Sequence, residues 1–153
     1  MEERRMLSHL KCTDIARNLR IEELIQVPSV ETPARIRITT DKLLGIPYAF
    51  NPAGDGPWSQ YDNRPIFNLE AVDCLTFVET VMAVVSARNV FEFEKCIRAI
   101  RYGDSVPEFT NRYHFIATDW IPNNIRNHRL IDVTAELARV HNRYRSLAIE
   151  VHG

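Results

Sequence analysis

Val72-Asp-Cys-Leu-Thr-Phe-Val-Glu-Thr-Val-Met-Ala-Val-Val85 is the stretch that organises the chain. Asp73 is a helix-capping residue, because its carboxylate accepts from the unpaired N–H groups of a first turn. Behind it, Cys74, Phe77, Val78, Val81, Met82 and Val85 recur at i, i+3, i+4, i+7, i+8 and i+11. That spacing predicts a helix with one apolar stripe turned to a core. Cys74 then lies in the first turn, where the partial positive charge of a helix start favours a thiolate. Two readings stay open from these residues. A cysteine on an apolar stripe is either packing or an activated nucleophile, and the carboxylate of Asp73 opposes activation.

Around this stretch the chain reads as mostly helical. Glu3 to Val27 carries helical spacing and Pro28 stops it. Ser29 to Pro33 is expected as a connector, with Thr32-Pro33 extended. A short helix is expected from Arg35 to Leu44, closed by Gly45, although Ile36 and Ile38 alternate with arginines in a strand-like way. From Gly45 to Pro65 the chain holds three of its five glycines and four of its eight prolines, which predicts a long loop. Tyr48, Phe50, Trp58 and Tyr61 within it argue for order, either as a cleft wall or as anchors to the core. After the cysteine helix, Arg88-Asn89 is a break and Val90 to Arg101 a second helix, with Phe93, Ile97 and Ile100 on one side. Cys96 falls mid-helix, away from any activating helix end, and reads as structural.

Phe109 to Asn124 gathers Arg112, His114, Asp119, Trp120 and Asn123. An imidazole here suits a general base for a thiol, with a carboxylate or amide to orient it; the same histidine also suits a surface loop with no chemical role. Leu130 to Thr134 and Leu147 to Val151 are expected as short strands on either side of a helix from Ala135 to Tyr144.

Composition narrows the classes. Nineteen basic and 20 acidic residues give a net charge of −1, which speaks against electrostatic nucleic-acid binding. No apolar run reaches membrane-spanning length, and the first residues contain no signal-peptide centre. Three widely spaced cysteines and five scattered histidines form neither a disulfide framework nor a metal-ligand pattern, so neither metal nor cofactor is expected. At 153 residues one domain is expected, and no internal repeat or low-complexity segment is visible.

Three motifs in order carry a resemblance. They are Leu43-Leu-Gly-Ile-Pro-Tyr48, then Val72-Asp-Cys-Leu-Thr-Phe-Val-Glu-Thr-Val81, then Ile100-Arg-Tyr102 followed by Arg112-Tyr-His-Phe115 and Asp119-Trp120, with Tyr61-Asp-Asn-Arg-Pro65 before the cysteine helix. Together, over about Thr39 to Thr134, they resemble the N-acetylmuramoyl-L-alanine amidase-like branch of the NlpC-type, papain-like cysteine peptidases. The resemblance implies an α+β papain-like fold, here its helix-rich half, with a central cysteine-bearing helix and a small or incomplete antiparallel sheet. It implies hydrolysis of an amide in peptidoglycan, with a muropeptide as partner, in the periplasm or outside the cell. Cys74 matches the nucleophile, Asp73 the residue before it, and Tyr48 a tyrosine bordering the site. His114 is either the base or a substrate-side residue, and Arg112, Asp119, Trp120 and Asn123 are expected on the substrate side. The family's histidine strand, which follows the cysteine helix, has no counterpart among His128, His141 and His152. The chain is therefore expected to be the first part of a longer member, and a noncatalytic module that keeps the cleft is the alternative to an enzyme.

Overall fold

The computed structural model describes residues 12–27 and 31–140. These fall into two compact units divided between His114 and Phe115.

Among its described residues the first unit holds the α-helices α1 (Cys12–Ile25), α2 (Thr32–Leu43), α3 (Cys74–Ser86) and α4 (Val90–Arg101). α3 is the hub, packing against α1, α2 and α4. Its start is a reciprocal cap. Asp73 Oδ1 accepts from the Thr76 N–H at 2.8 Å, and Thr76 Oγ1 accepts from the Asp73 N–H at 2.9 Å. Two donors that the helix itself cannot satisfy are thereby paired. At the other end, Arg35 of α2 donates to the Val84 carbonyl at 3.3 Å, one of the last-turn acceptors. α4 is capped in its turn by Asn89, whose side chain accepts from Glu92 N–H at 2.9 Å.

The core contains Ile21 of α1, Leu43 of α2, Ala83 and Val84 of α3, and Phe93, Ile97 and Ile100 of α4. Phe67 meets Phe93 edge-on at 4.9 Å. The face that α3 buries is not the one its apolar spacing predicts. Glu79, Thr80, Val81, Ala83 and Val84 are buried, whereas Cys74 and Val78 are exposed. The reason is Glu79. Its carboxylate, fully buried, is paired with Arg101 of α4, with 2.8 Å from Nε to Oε2, and Arg101 also donates to the Ile66 carbonyl. A charge so paired can face the core, and the thiol side of the helix is left outward.

The expected α+β fold with a sheet is not what the described residues form. The described residues are helical and contain no strand, only isolated bridges between Tyr48 and Val72 (parallel) and between Tyr102 and Arg112 (antiparallel). Leu130 to Thr134, expected as a strand, makes no β-bridge with any described segment. Its Ile131 is 83% exposed and Thr134 already starts a helix. Strand-like residue types do not make a strand without a neighbour to take up the backbone hydrogen bonds. Ile36 and Ile38 lie inside α2, which starts earlier than expected because Pro33 sits in the first turn, where its missing N–H costs nothing. Leu147–Val151 and the residues before Cys12 lie outside the described residues.

The second unit holds a π-helical turn (Ile116–Trp120), α5 (Ile121–Arg126) and α6 (Thr134–Val140). The wide turn closes by Trp120 N–H donating to the Phe115 carbonyl at 3.0 Å, just before Pro122, which has no N–H to give. Among the described residues no helix is long and apolar enough to cross a membrane.

Candidate active site

Cys74 is the first residue of α3, as the capping pattern predicts, and its thiol is exposed. Tyr48 stands close by in the backbone pattern. Val72 N–H donates to the Pro47 carbonyl at 3.0 Å and Ala49 N–H to the Val72 carbonyl at 3.1 Å, so Tyr48 runs beside the residue two before the thiol. Its ring is exposed. Tyr48, Asp73 and Cys74 are thus brought together by one short parallel bridge and one helix cap. The Cys74 and Leu75 amides have no acceptor within the helix, since first-turn N–H groups point out of its start.

The other expected residues are held by partners within their own unit. His114 is exposed; its Nε2 is 2.7 Å from the Phe109 carbonyl and its ring lies 4.5 Å from the Phe109 ring. Among the described residues, no imidazole is hydrogen-bonded to the Cys74 sulfur. Arg112 is largely buried and committed to two carboxylates: Nε donates to Asp55 Oδ1 at 2.8 Å and Nη2 to Asp62 at 3.3 Å. In the second unit, Asp119 accepts from the Phe115 N–H at 3.1 Å, and Asn123 donates to the Asp119 carbonyl at 2.8 Å. Trp120 is 4% exposed. These side chains hold their own turn of chain together.

Sequence reading missed Asp55. Its side chain is fully buried, and it anchors the loop that the glycines and prolines mark. Besides Arg112, Asp55 Oδ1 accepts from the Tyr102 hydroxyl at 2.8 Å, and the same hydroxyl reaches the Gly54 carbonyl at 3.0 Å. Burial pushes the Tyr102 phenol up to about 12, with the Asp55 bond adding to it and Arg101 opposing. The loop closes on itself through Gly54 N–H to Pro65 O (2.7 Å), Asp55 N–H to Asp62 O (2.9 Å) and Gly56 N–H to Arg64 O (2.8 Å). Gly54 admits no side chain, because a Cβ would meet the Arg64 carbonyl at 2.7 Å. Arg64 holds the Asp62 carboxyl below its usual range, against burial that would raise it. The signal was Gly54-Asp-Gly56 itself: a carboxylate between two glycines in a loop that still packs. The four aromatic residues expected to order this loop are all exposed.

Among the described residues, no three His, Cys, Asp or Glu side chains gather closely enough to hold a metal ion.

Comparison with known proteins decides the family. The model of the AmiA-like family, described as N-acetylmuramoyl-L-alanine amidase-like, matches residues 38–150. The chain belongs to that family. Among solved structures, an AmiA-like chain of this kind is similar to a Legionella pneumophila protein of the family model DUF1460. That match has 27% identity and a TM-score of 0.70, over 74% of this chain and 38% of the other. A Bacteroides fragilis protein described as a candidate xylanase is 30% identical with a TM-score of 0.50, over 63% of this chain and 43% of the other. The AmiA-like chain therefore spans less than half the length of either. No curated protein matches it.

Proposed function

We propose that this AmiA-like chain carries the nucleophile of a cysteine amidase acting on peptidoglycan fragments, with chemistry of the NlpC type. The observation that supports this is the placement of Cys74: an exposed thiol at the first position of a firmly capped, deeply packed helix. The family description points to the amide between the muramoyl group and L-alanine as the bond cut.

In this reading the Cys74 sulfur, as thiolate, attacks the amide carbonyl carbon. The oxyanion that forms is met by the outward first-turn N–H groups of α3. The C–N bond then breaks, the departing amine takes a proton from a general acid, and a thioester remains. Water attacks the thioester, releases the carboxylic acid and returns the thiol. Tyr48 borders the acyl group. His114, held on Phe109, is a substrate-side residue, and the imidazole that serves the sulfur comes from outside the described residues.

A second reading, a binding module without turnover, is favoured by one observation: no described imidazole is bonded to the Cys74 sulfur. Incubating the protein with purified muropeptides and following peptide release by mass separates the two. Slow release that disappears in Cys74→Ala supports the amidase. Release that survives the substitution refutes it, and muropeptide binding with no release supports the module.

A further inference from the structure

None of the seven residues of α6 is buried. A helix that short is marginal by itself in water, because its first turn fixes more backbone than it bonds. Its start is nevertheless in order. Asp132 Oδ1 accepts from the Thr134 N–H at 2.9 Å, and the Val133 carbonyl accepts from the Leu137 N–H at 2.9 Å. Its outward side is apolar: Leu137 is 52% and Val140 73% exposed, and Val133, one turn before Leu137, is exposed as well. Such a helix is stabilised by laying its apolar side on another element.

The spacing tells which kind of element. Val133, Leu137 and Val140 are four and three residues apart, and the sequence continues in the same steps to Tyr144 and Leu147. Alternating steps of four and three make the seam of two paired helices, in which each apolar side chain enters a hole on the facing helix. From the sequence this helix is expected to reach Tyr144, beyond the described residues. The charges beside the seam tell which helix faces it. Glu136 and Arg143 each stand one position before a seam residue, Leu137 and Tyr144, so they flank the seam on the same side. When the segment is laid antiparallel on itself with Leu137 against Val140, Val133 meets Tyr144 and each Glu136 comes opposite an Arg143. One twofold axis satisfies both ion pairs at once. A parallel pair instead sets Glu136 opposite His141 and Arg143 opposite Ala148, which leaves the arginine unmatched.

We propose that α6, continued to Tyr144, is the interface of a homodimer. The seam of Val133, Leu137, Val140 and Tyr144 packs antiparallel on the same seam of a second copy, with Glu136 of each copy paired to Arg143 of the other. It stands whether or not Cys74 is the nucleophile. So short a seam buries less than the roughly 800 Å² per partner of a stable interface, so the association is weak and depends on concentration.

Sedimentation of the full chain from micromolar to millimolar concentration is expected to show monomer and dimer in rapid exchange. Leu137→Glu is expected to abolish the dimer and to leave the melting curve at micromolar concentration unchanged. Glu136→Arg is expected to weaken association about tenfold, and Glu136→Arg combined with Arg143→Glu to restore it. Orientation is read by oxidative cross-linking, with the linked peptides mapped by mass apart from the native cysteines. Leu137→Cys mixed with Val140→Cys is expected to cross-link faster than either variant alone. A monomer at every concentration overturns the proposal. So does a dimer that Leu137→Glu leaves intact, a double reversal that fails to restore association, or Leu137→Cys linking fastest to itself. If Leu137→Glu unfolds the protein at micromolar concentration, the seam packs within its own chain and the proposal fails.

Discussion

Arg112 donates Nε to Asp55 Oδ1 at 2.8 Å, and so the most basic residue of the Arg-Tyr-His motif fastens a loop. With Tyr102 on the same oxygen, two neighbouring segments meet at one buried carboxylate about fifty residues before them in the chain. Asp55→Ala leaves Arg112 largely buried without its main partner. A loss of about 3–5 kcal/mol is expected from breaking such a pair, measured by urea unfolding. Tyr102→Phe removes the hydrogen bond to the Asp55 carboxylate and is expected to cost about 1.5–3 kcal/mol.

The same tyrosine gives a pH signature. Its phenol has an ordinary value of 10.0 and is raised to about 12 in the fold. The folded state therefore holds the proton more tightly than the unfolded state. The stability this contributes, about 3 kcal/mol, is fully present below pH 10 and lost as pH rises through about 12. Melting temperature measured from pH 9 to 12 is expected to fall more steeply in the native protein than in Tyr102→Phe. Equal slopes would show that Tyr102 is not the group responsible.

The helices were legible in the sequence because their signals are local. Asp73 and Asn89 cap where capping residues stand, and Phe93, Ile97 and Ile100 bury as their spacing demands. The inward face of α3 was not legible. Periodicity counted Glu79 as polar, and only its partner 22 residues away, Arg101, makes it a core residue. The sheet failed for a related reason: residues such as Ile131 and Val133 have strand character, but pairing is settled by what lies beside them. At the candidate site, the place of Cys74 at the start of α3 was readable from the capping pattern, whereas Asp55 was visible only as a turn residue. The resemblance puts Arg112 and Trp120 on the substrate side, and the partners of these two were not legible: Arg112 pairs with Asp55, and Trp120 is buried.

Glu79 and Arg101 are nearly sealed from water, and Arg101 also ties α4 to the Ile66 carbonyl. Removing either partner strands the other charge. Glu79→Ala is expected to destabilise the protein by about 3–5 kcal/mol, read from chemical denaturation. A double replacement by leucine and methionine is expected to recover much of that loss, since no charge is then left unpaired.

The cap at Asp73 links stability to the site. Asp73→Ala removes the side-chain half of the reciprocal cap and is expected to cost about 0.5–2 kcal/mol. Asp73→Asn and Asp73→Ser keep an acceptor for the Thr76 N–H and are expected to lie within a few tenths of a kcal/mol of the native protein. Thermal melts of the three variants measure this. A loss in Asp73→Asn as large as in Asp73→Ala would show that the charge, rather than the cap geometry, matters.

The most direct test of Cys74 as nucleophile is acyl capture. An N-acetylmuramoyl ester with a good leaving group needs no acid to expel it, so the thiol can be acylated even where no imidazole serves the sulfur. The protein is incubated with this ester, and separately with the acetyl ester of the same leaving group, and the acylated residue is mapped by mass. The account predicts a muramoyl thioester on Cys74, formed faster than the acetyl one, and none in Cys74→Ala. Muramoyl labelling no faster than acetyl labelling, or shared equally with Cys96, would contradict it.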